Sequence, residues 1–188
     1  MKSKTDFPCT NGRLLIREFE ASDREALIGF SRDPTQLQYM IFSLGTEKEI
    51  DDFLKFAQTK AREENRTEWH LALEEKGKPG CIGSVALMIE KDAPSSAELG
   101  YWFKRSAWGT GYATEASRFM LHWGFKTLGL HRIWGKCHVD NSASAHVMEK
   151  LGMSLEGRMR EHIWLRDHYR SSLLYSMLEH EYQGKVLG

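Results

Sequence analysis

Residues 97–116 read Ala97-Glu98-Leu99-Gly100-Tyr101-Trp102-Phe103-Lys104-Arg105-Ser106-Ala107-Trp108-Gly109-Thr110-Gly111-Tyr112-Ala113-Thr114-Glu115-Ala116, and this stretch decides the fold. Its first third is an apolar run of strand length. Its last third opens a helix over 112–126 that carries Ala113, Ala116, Met120 and Trp123 on one face. Glycines between strand and helix let the backbone approach an anion. The first helical amides have no partner within the helix, and the helix dipole favours negative charge there. A pyrophosphate fits such a site. From the two glycines alone, a tight turn with no ligand reads equally well.

Two other nucleotide-binding patterns fail. A P-loop needs a lysine directly after its last glycine, and none follows Gly111. A dinucleotide fingerprint needs a third glycine, where Thr114 stands. It also needs an acidic residue about 20 positions on, where Leu130-His131-Arg132 stand.

Working outward, residues 14–19 read as a strand. Ser22-Asp-Arg-Glu25 and Thr46-Glu-Lys-Glu49 are capping-box patterns that open two helices, the second running to about Asn65. Strands at 69–73 and 81–89 flank a glycine–proline turn at 76–80. Beyond the central helix come a strand over 132–139, then a helix capped by Asp140 or Asn141 and closed by Gly152. Two last strands lie near 154–164 and 171–178. This order predicts an α+β fold with at least one parallel crossover.

Composition narrows the class. The 188 residues have zero formal net charge, 41% hydrophobic and 28% charged content. That suits one soluble domain and gives no electrostatic reason to expect nucleic acid or an anionic membrane as partner. Cys9, Cys81 and Cys137 lack metal or disulfide spacing, and no signal peptide or membrane span is readable, so a cytoplasmic setting is expected.

Four motifs in order, Glu98-Leu-Gly-Tyr-Trp-Phe, Trp108-Gly-Thr-Gly-Tyr-Ala-Thr-Glu-Ala, Asp140-Asn-Ser-Ala-Ser and Glu149-Lys-Leu-Gly-Met-Ser-Leu-Glu-Gly, resemble the GNAT acetyltransferase superfamily. The likeness is strongest to the Rim-type branch, which includes acetyltransferases of ribosomal-protein N-termini. It covers residues 12–182 as one domain, between tails at 1–11 and 183–188. It implies a splayed, mostly antiparallel sheet of about seven strands flanked by helices, with one parallel pair at the cofactor cleft between strands 97–103 and 132–139.

The same resemblance implies acetyl-CoA as cofactor and no metal. The pantetheine arm would lie along the backbone of Trp102, Phe103 and Lys104. The pyrophosphate would sit on amides from Trp108 through Gly109, Thr110, Gly111 and Tyr112 to Ala113. Asn141 would bond the pantetheine and Ser144 would face the sulfur. The family's basic position is Ser106 here, with Arg105 one residue early, which moves weight from a basic side chain to the backbone.

The implied acceptor is a primary amine, with a protein N-terminal α-amine as the family-based expectation. A polyamine or amino-sugar is the alternative, and a non-catalytic acyl-CoA-binding module is a further one. A homodimer is expected only at the level of the family. Residues 31–65 and the loop at 91–96 are expected to shape the acceptor site.

Acetyl transfer to an amine needs a base, a polarised carbonyl and support for the leaving thiolate. Glu98, on the strand beside the splay, is the first candidate base. Glu161 is the second, because it shares a face with Ile163 in a regular strand, and Ile163 stands where some Rim-type members carry a glutamate. Many family members place a tyrosine as general acid at the position of Met148, which leaves Ser144 for that role. Tyr175 is a candidate for lining the acceptor site. Trp102, Trp123 and Trp134 read as core, Trp108 as a buttress of the loop, and Trp69 and Trp164 as borders of the acceptor cleft.

Overall fold

The structure, a computed structural model, describes residues 7–40 and 45–184. Two short antiparallel strands, β1 (Cys9–Asn11) and β2 (Leu14–Glu18), lead to a 3₁₀ turn and to helices α1 (Arg24–Ser31), α2 (Pro34–Leu37) and α3 (Glu47–Arg62). A meander follows, β3 (Glu68–Glu75), β4 (Lys78–Ile89) and β5 (Ser96–Phe103). Helix α4 (Tyr112–Lys126) crosses over to β6 (Arg132–His138), and α5 (Ser142–Lys150) leads to the hairpin β7 (Ser154–Leu165) and β8 (His168–Leu178). All eight strands form one sheet in the order β1-β2-β3-β4-β5-β6-β8-β7. Among the described residues, only β5 and β6 pair in parallel.

The eighth strand comes from the segment expected as a tail. Cys9–Asn11 pairs with Leu14–Ile16, and Asn11 Nδ2 donates to the Glu115 carbonyl at 3.2 Å, so an otherwise weak edge strand is tied to α4. The sheet therefore begins before residue 12.

Each sheet face carries its own core. Helices α4 and α5 cover one, where Leu71, Leu87, Met120, Leu121 and Ile133 are fully buried or nearly so. Helices α1 and α3 cover the other, with Leu27, Phe30, Ile50 and Trp102. The Thr46–Glu49 capping box forms as read from sequence, its hydroxyl and carboxylate each bonding the other residue's amide. The first helix starts differently. Asp23, read as part of a box opened by Ser22, instead accepts the Glu20 amide and both terminal nitrogens of Arg17. The partly buried guanidinium of Arg17 dictates where that buried carboxylate goes.

Trp134 departs from the core reading. It lies on the half-exposed side of β6, with the Lys136 ammonium 5.1 Å from its ring centroid. Trp69 packs edge-on against Trp123 inside the α4 core, and Trp164 is 60% exposed against Tyr169. Neither borders the main cavity.

Candidate active site

Strand alternation makes a gap in the sheet. β5 pairs with β6 only over Ser96–Glu98 against Arg132–Trp134. Beyond those three residues β5 stays on β4, β6 stays on β8, and the two strands part. The Lys104 amide donates to Ile82 and the Ser96 carbonyl accepts Glu90, so even-numbered residues of β5 bond toward β4. The Leu99 amide closes the seam to β6, and beyond it the backbone groups of Tyr101 and Phe103 face the gap. This corrects the expected pantetheine edge. Of Trp102, Phe103 and Lys104, only Phe103 turns its backbone that way. Gly135 lines the base of the fork, where a Cβ would come within 3.1 Å of the Leu99 carbonyl oxygen.

A cavity of about 520 Å³ runs through this gap. Glu98, Trp102, Lys136 and His138 line it from the α3 side of the sheet. Tyr101, Cys137, Ser144 and Met148 line it from the α5 side. Successive strand residues point to opposite faces, so one cavity touching both sets must pass between β5 and β6. Its α3-side mouth is walled by Tyr39, Met40, Phe53, Phe56 and His70, with Glu49 and Asp52 on α3. Residues 41–44, within the region expected to shape the acceptor, lie outside the described residues. The loop at 91–96 is a turn at the other end of β5 and does not line the cavity.

The glycine loop lies beyond the end of β5. Arg105–Ala107 make a 3₁₀ turn, and Gly109 and Gly111 take φ of 72° and 87°, the left-handed region that favours glycine. The Trp108 indole N–H donates to the Phe103 carbonyl at 2.7 Å, so it does buttress the loop. Its backbone amide is engaged by Arg105. The Tyr112 amide sits 3.5 Å from Thr110 Oγ1. Among the described residues, the amides of Gly109, Thr110, Gly111 and Ala113 have no protein acceptor, which narrows the cradle. Arg105 is exposed, and Lys104 turns to a second hollow with Lys78, Ser106 and Tyr112.

A distant residue, invisible as a site signal in the sequence, holds this loop. Arg13 donates to the Thr110 carbonyl at 3.1 Å and pairs with the Glu115 carboxylate at 2.8 Å. The Arg13 amide also donates to Glu115, whose side chain is only 5% exposed.

The catalytic candidates separate. Glu98 faces the cavity and pairs with Lys136 at 3.1 Å, a partner the sequence reading missed. Ser144 lies on the cavity's other side, its hydroxyl 2.8 Å from that of Tyr101. Burial raises the Tyr101 hydroxyl well above the usual tyrosine value, and burial pushes the Cys137 thiol up to about 11. Asn141 caps α5, its side-chain oxygen accepting the Ser144 amide at 3.1 Å, which leaves its Nδ2 for the cavity.

Glu161 does not join them. The β7–β8 register slips between Met159 and Ile163, and Glu161 takes a φ of 48° in the bulge. That breaks the alternation behind its candidacy and leaves it exposed. The bulge instead brings His162 within 2.9 Å of the Ser172 hydroxyl at the cavity edge. Burial and the nearby Lys136 hold His162 below the ordinary histidine value. Tyr175 is 3% exposed in the α4–α5 core, its hydroxyl 3.4 Å from Glu149, and does not reach the acceptor end.

The comparisons with known proteins agree with this geometry. Residues 13–154 match the family model described as an acetyltransferase (GNAT) domain. The uncharacterized N-acetyltransferase YnaD of Bacillus subtilis is 30% identical over 173 residues, covering 92% of this chain and 98% of that one. A GNAT-family acetyltransferase structure from Bacillus anthracis superposes with a TM-score of 0.78 at 28% identity, covering 91% and 98%. Two further structures share the fold at lower identity. Mycobacterium smegmatis RimJ in complex with CoA-disulfide has a TM-score of 0.76 at 20%, covering 96% and 91%. Vibrio cholerae spermidine N-acetyltransferase in complex with CoA and spermine has 0.75 at 21%, covering 92% and 99%. With this split sheet, its glycine-bearing helix start and these relatives, the chain belongs to the GNAT acetyltransferase family and is an acyltransferase.

Proposed function

We propose that the chain moves the acetyl group of acetyl-CoA to a primary amine, with a protein N-terminal α-amine as the acceptor. The observation that carries this reading is the cavity crossing the sheet at the β5–β6 fork. One wall offers unpaired backbone, and Glu98 and Ser144 stand on opposite sides. An acyl-pantetheine arm in the gap meets the backbone of Tyr101 and Phe103, whose amides polarise the thioester carbonyl. The pyrophosphate meets the free amides of Gly109, Thr110, Gly111 and Ala113. CoA in two structures of this fold supports the same donor.

Glu98, directly or through one water, takes the proton that the amine must lose. At pH 7 roughly a tenth of an α-amine is neutral, against about 0.04% of a lysine amine, so an N-terminus demands less of that base. Glu49 and Asp52 favour a second reading, a polyamine acceptor, because they add two carboxylates at the cavity mouth.

A panel of amines, incubated with acetyl-CoA and read by thiol release, tests both. Short peptides with free N-termini should release CoA faster than spermidine. The reverse order would favour the polyamine. Binding of acetyl-CoA with no turnover on any amine would leave only an acyl-CoA-binding module.

A further inference from the structure

Met148 on α5 lines the cavity with a side chain that cannot donate a proton, but a tyrosine hydroxyl reaches α5 from across the gap. Tyr101 comes from β5, on the far side of the gap from α5. Its hydroxyl lies 2.8 Å from Ser144 Oγ and 3.2 Å from the Ser144 carbonyl oxygen. Both side chains line the cavity where the strands part.

The pair has two hydrogen-bonded states. In one, Tyr101 donates to the Ser144 carbonyl and the serine proton points back at the phenol oxygen. In the other, Tyr101 donates to Ser144 Oγ and the serine proton turns away from the phenol, toward the neighbouring Cys137 sulfur or into the cleft. A phenol is the better donor and an aliphatic hydroxyl the better acceptor, so the second state is favoured once an acceptor waits in the cleft.

What that proton can do follows from relative acidity. A thiol is a far stronger acid than an alcohol. A serine proton therefore does not transfer outright to a leaving thiolate, but it can donate a hydrogen bond to the sulfur as charge builds. In the transfer the amine nitrogen bonds to the carbonyl carbon. The carbon–sulfur bond breaks with its electron pair on sulfur, and the amine's lost proton balances the thiolate.

We infer that Tyr101 is a positioning residue for the transfer, donating to Ser144 Oγ so that the Ser144 hydroxyl is aimed at the departing sulfur. The inference rests on the acetyl transfer proposed above. The burial that shifts the Tyr101 pKa upward is consistent with it, since a phenol that stays protonated stays a donor. Neighbouring Cys137 is held as a thiol by its burial and adds no charge to the pair.

A double-mutant cycle on kcat tests it with Tyr101→Phe, Ser144→Ala and the double variant, alongside the acetyl-CoA KM. Tyr101→Phe should lower kcat about 10-fold, the worth of one hydrogen bond strengthened in the transition state, with KM within about twofold. Ser144→Ala should cost at least as much, and adding Tyr101→Phe to it should cost almost nothing more. If Tyr101→Phe costs the same factor in both backgrounds, its role is packing and the inference falls. An unchanged kcat in Tyr101→Phe overturns it too. A wild-type chain that releases no CoA with any amine fails the underlying reading instead, and removes this inference with it.

Discussion

Glu98 and Lys136 face each other at 3.1 Å across the parting strands, so the candidate base sits beside a fixed cation rather than in open water. If Glu98 takes the amine proton, Glu98→Gln should lower kcat by about 10²-fold or more while leaving acetyl-CoA binding intact, as steady-state kinetics and calorimetry would read. Glu161→Gln should change kcat by less than about twofold. A large loss there would reinstate the residue that the β7 bulge turns away. His70 yields a pH prediction. Burial between Phe53 and Phe56 holds its imidazole below the ordinary histidine value, and His138 and His162 are shifted the same way. The folded chain then binds fewer protons than the unfolded chain just below about pH 6.5, so stability is full above that value and falls on acidification. Urea midpoints at pH 7 and pH 5.5 should show the loss, and His70→Phe should remove part of it. Glu156 shifts with the same sign, but Arg132 and Ser176 hold its carboxyl at about 2, so its contribution is lost only in a more acid window. That Glu98 and Ser144 line the cavity was legible because motif positions name them. Lys136, Tyr101 and Arg13 were not, because each acts through a contact that exists only after distant strands come together.

The loop before α4 shows what an element can reveal in advance. Gly109-Thr-Gly111 announced a helix start able to take an anion, and both glycines do occupy left-handed backbone. The sequence could not say which amides remain free, since that depends on the 3₁₀ turn that engages Trp108. Gly111→Ala forces a Cβ into that conformation at roughly 1–2 kcal/mol. It should raise the acetyl-CoA KM several-fold with kcat little changed, whereas equal losses in both would place the loop in the chemical step. Arg13→Ala leaves the buried Glu115 carboxylate without its cation and frees the Thr110 carbonyl. It should lower stability by about 2 kcal/mol or more in denaturant titration. The β7 bulge marks the opposite limit. No glycine or proline flags residues 160–162, and alternation counted through them put Glu161 on the wrong side.

At the scale of the whole molecule, the sheet is two ladders joined by a three-residue parallel seam, with a core on each face. The element order and the parallel crossover were readable from periodicity. The fork was readable only through the family resemblance, because nothing local in 99–103 or 135–138 says that two adjacent strands will diverge. That divergence is the reason one cavity is lined from both faces of the sheet. The measurement that bears most directly on it is residue-resolved amide hydrogen exchange with and without acetyl-CoA. Occupation of the fork should protect the amides of Tyr101 and Phe103 together with those of Gly109, Thr110, Gly111 and Ala113. Protection confined to the second hollow around Lys78 and Lys104, or none at the fork, would contradict the account.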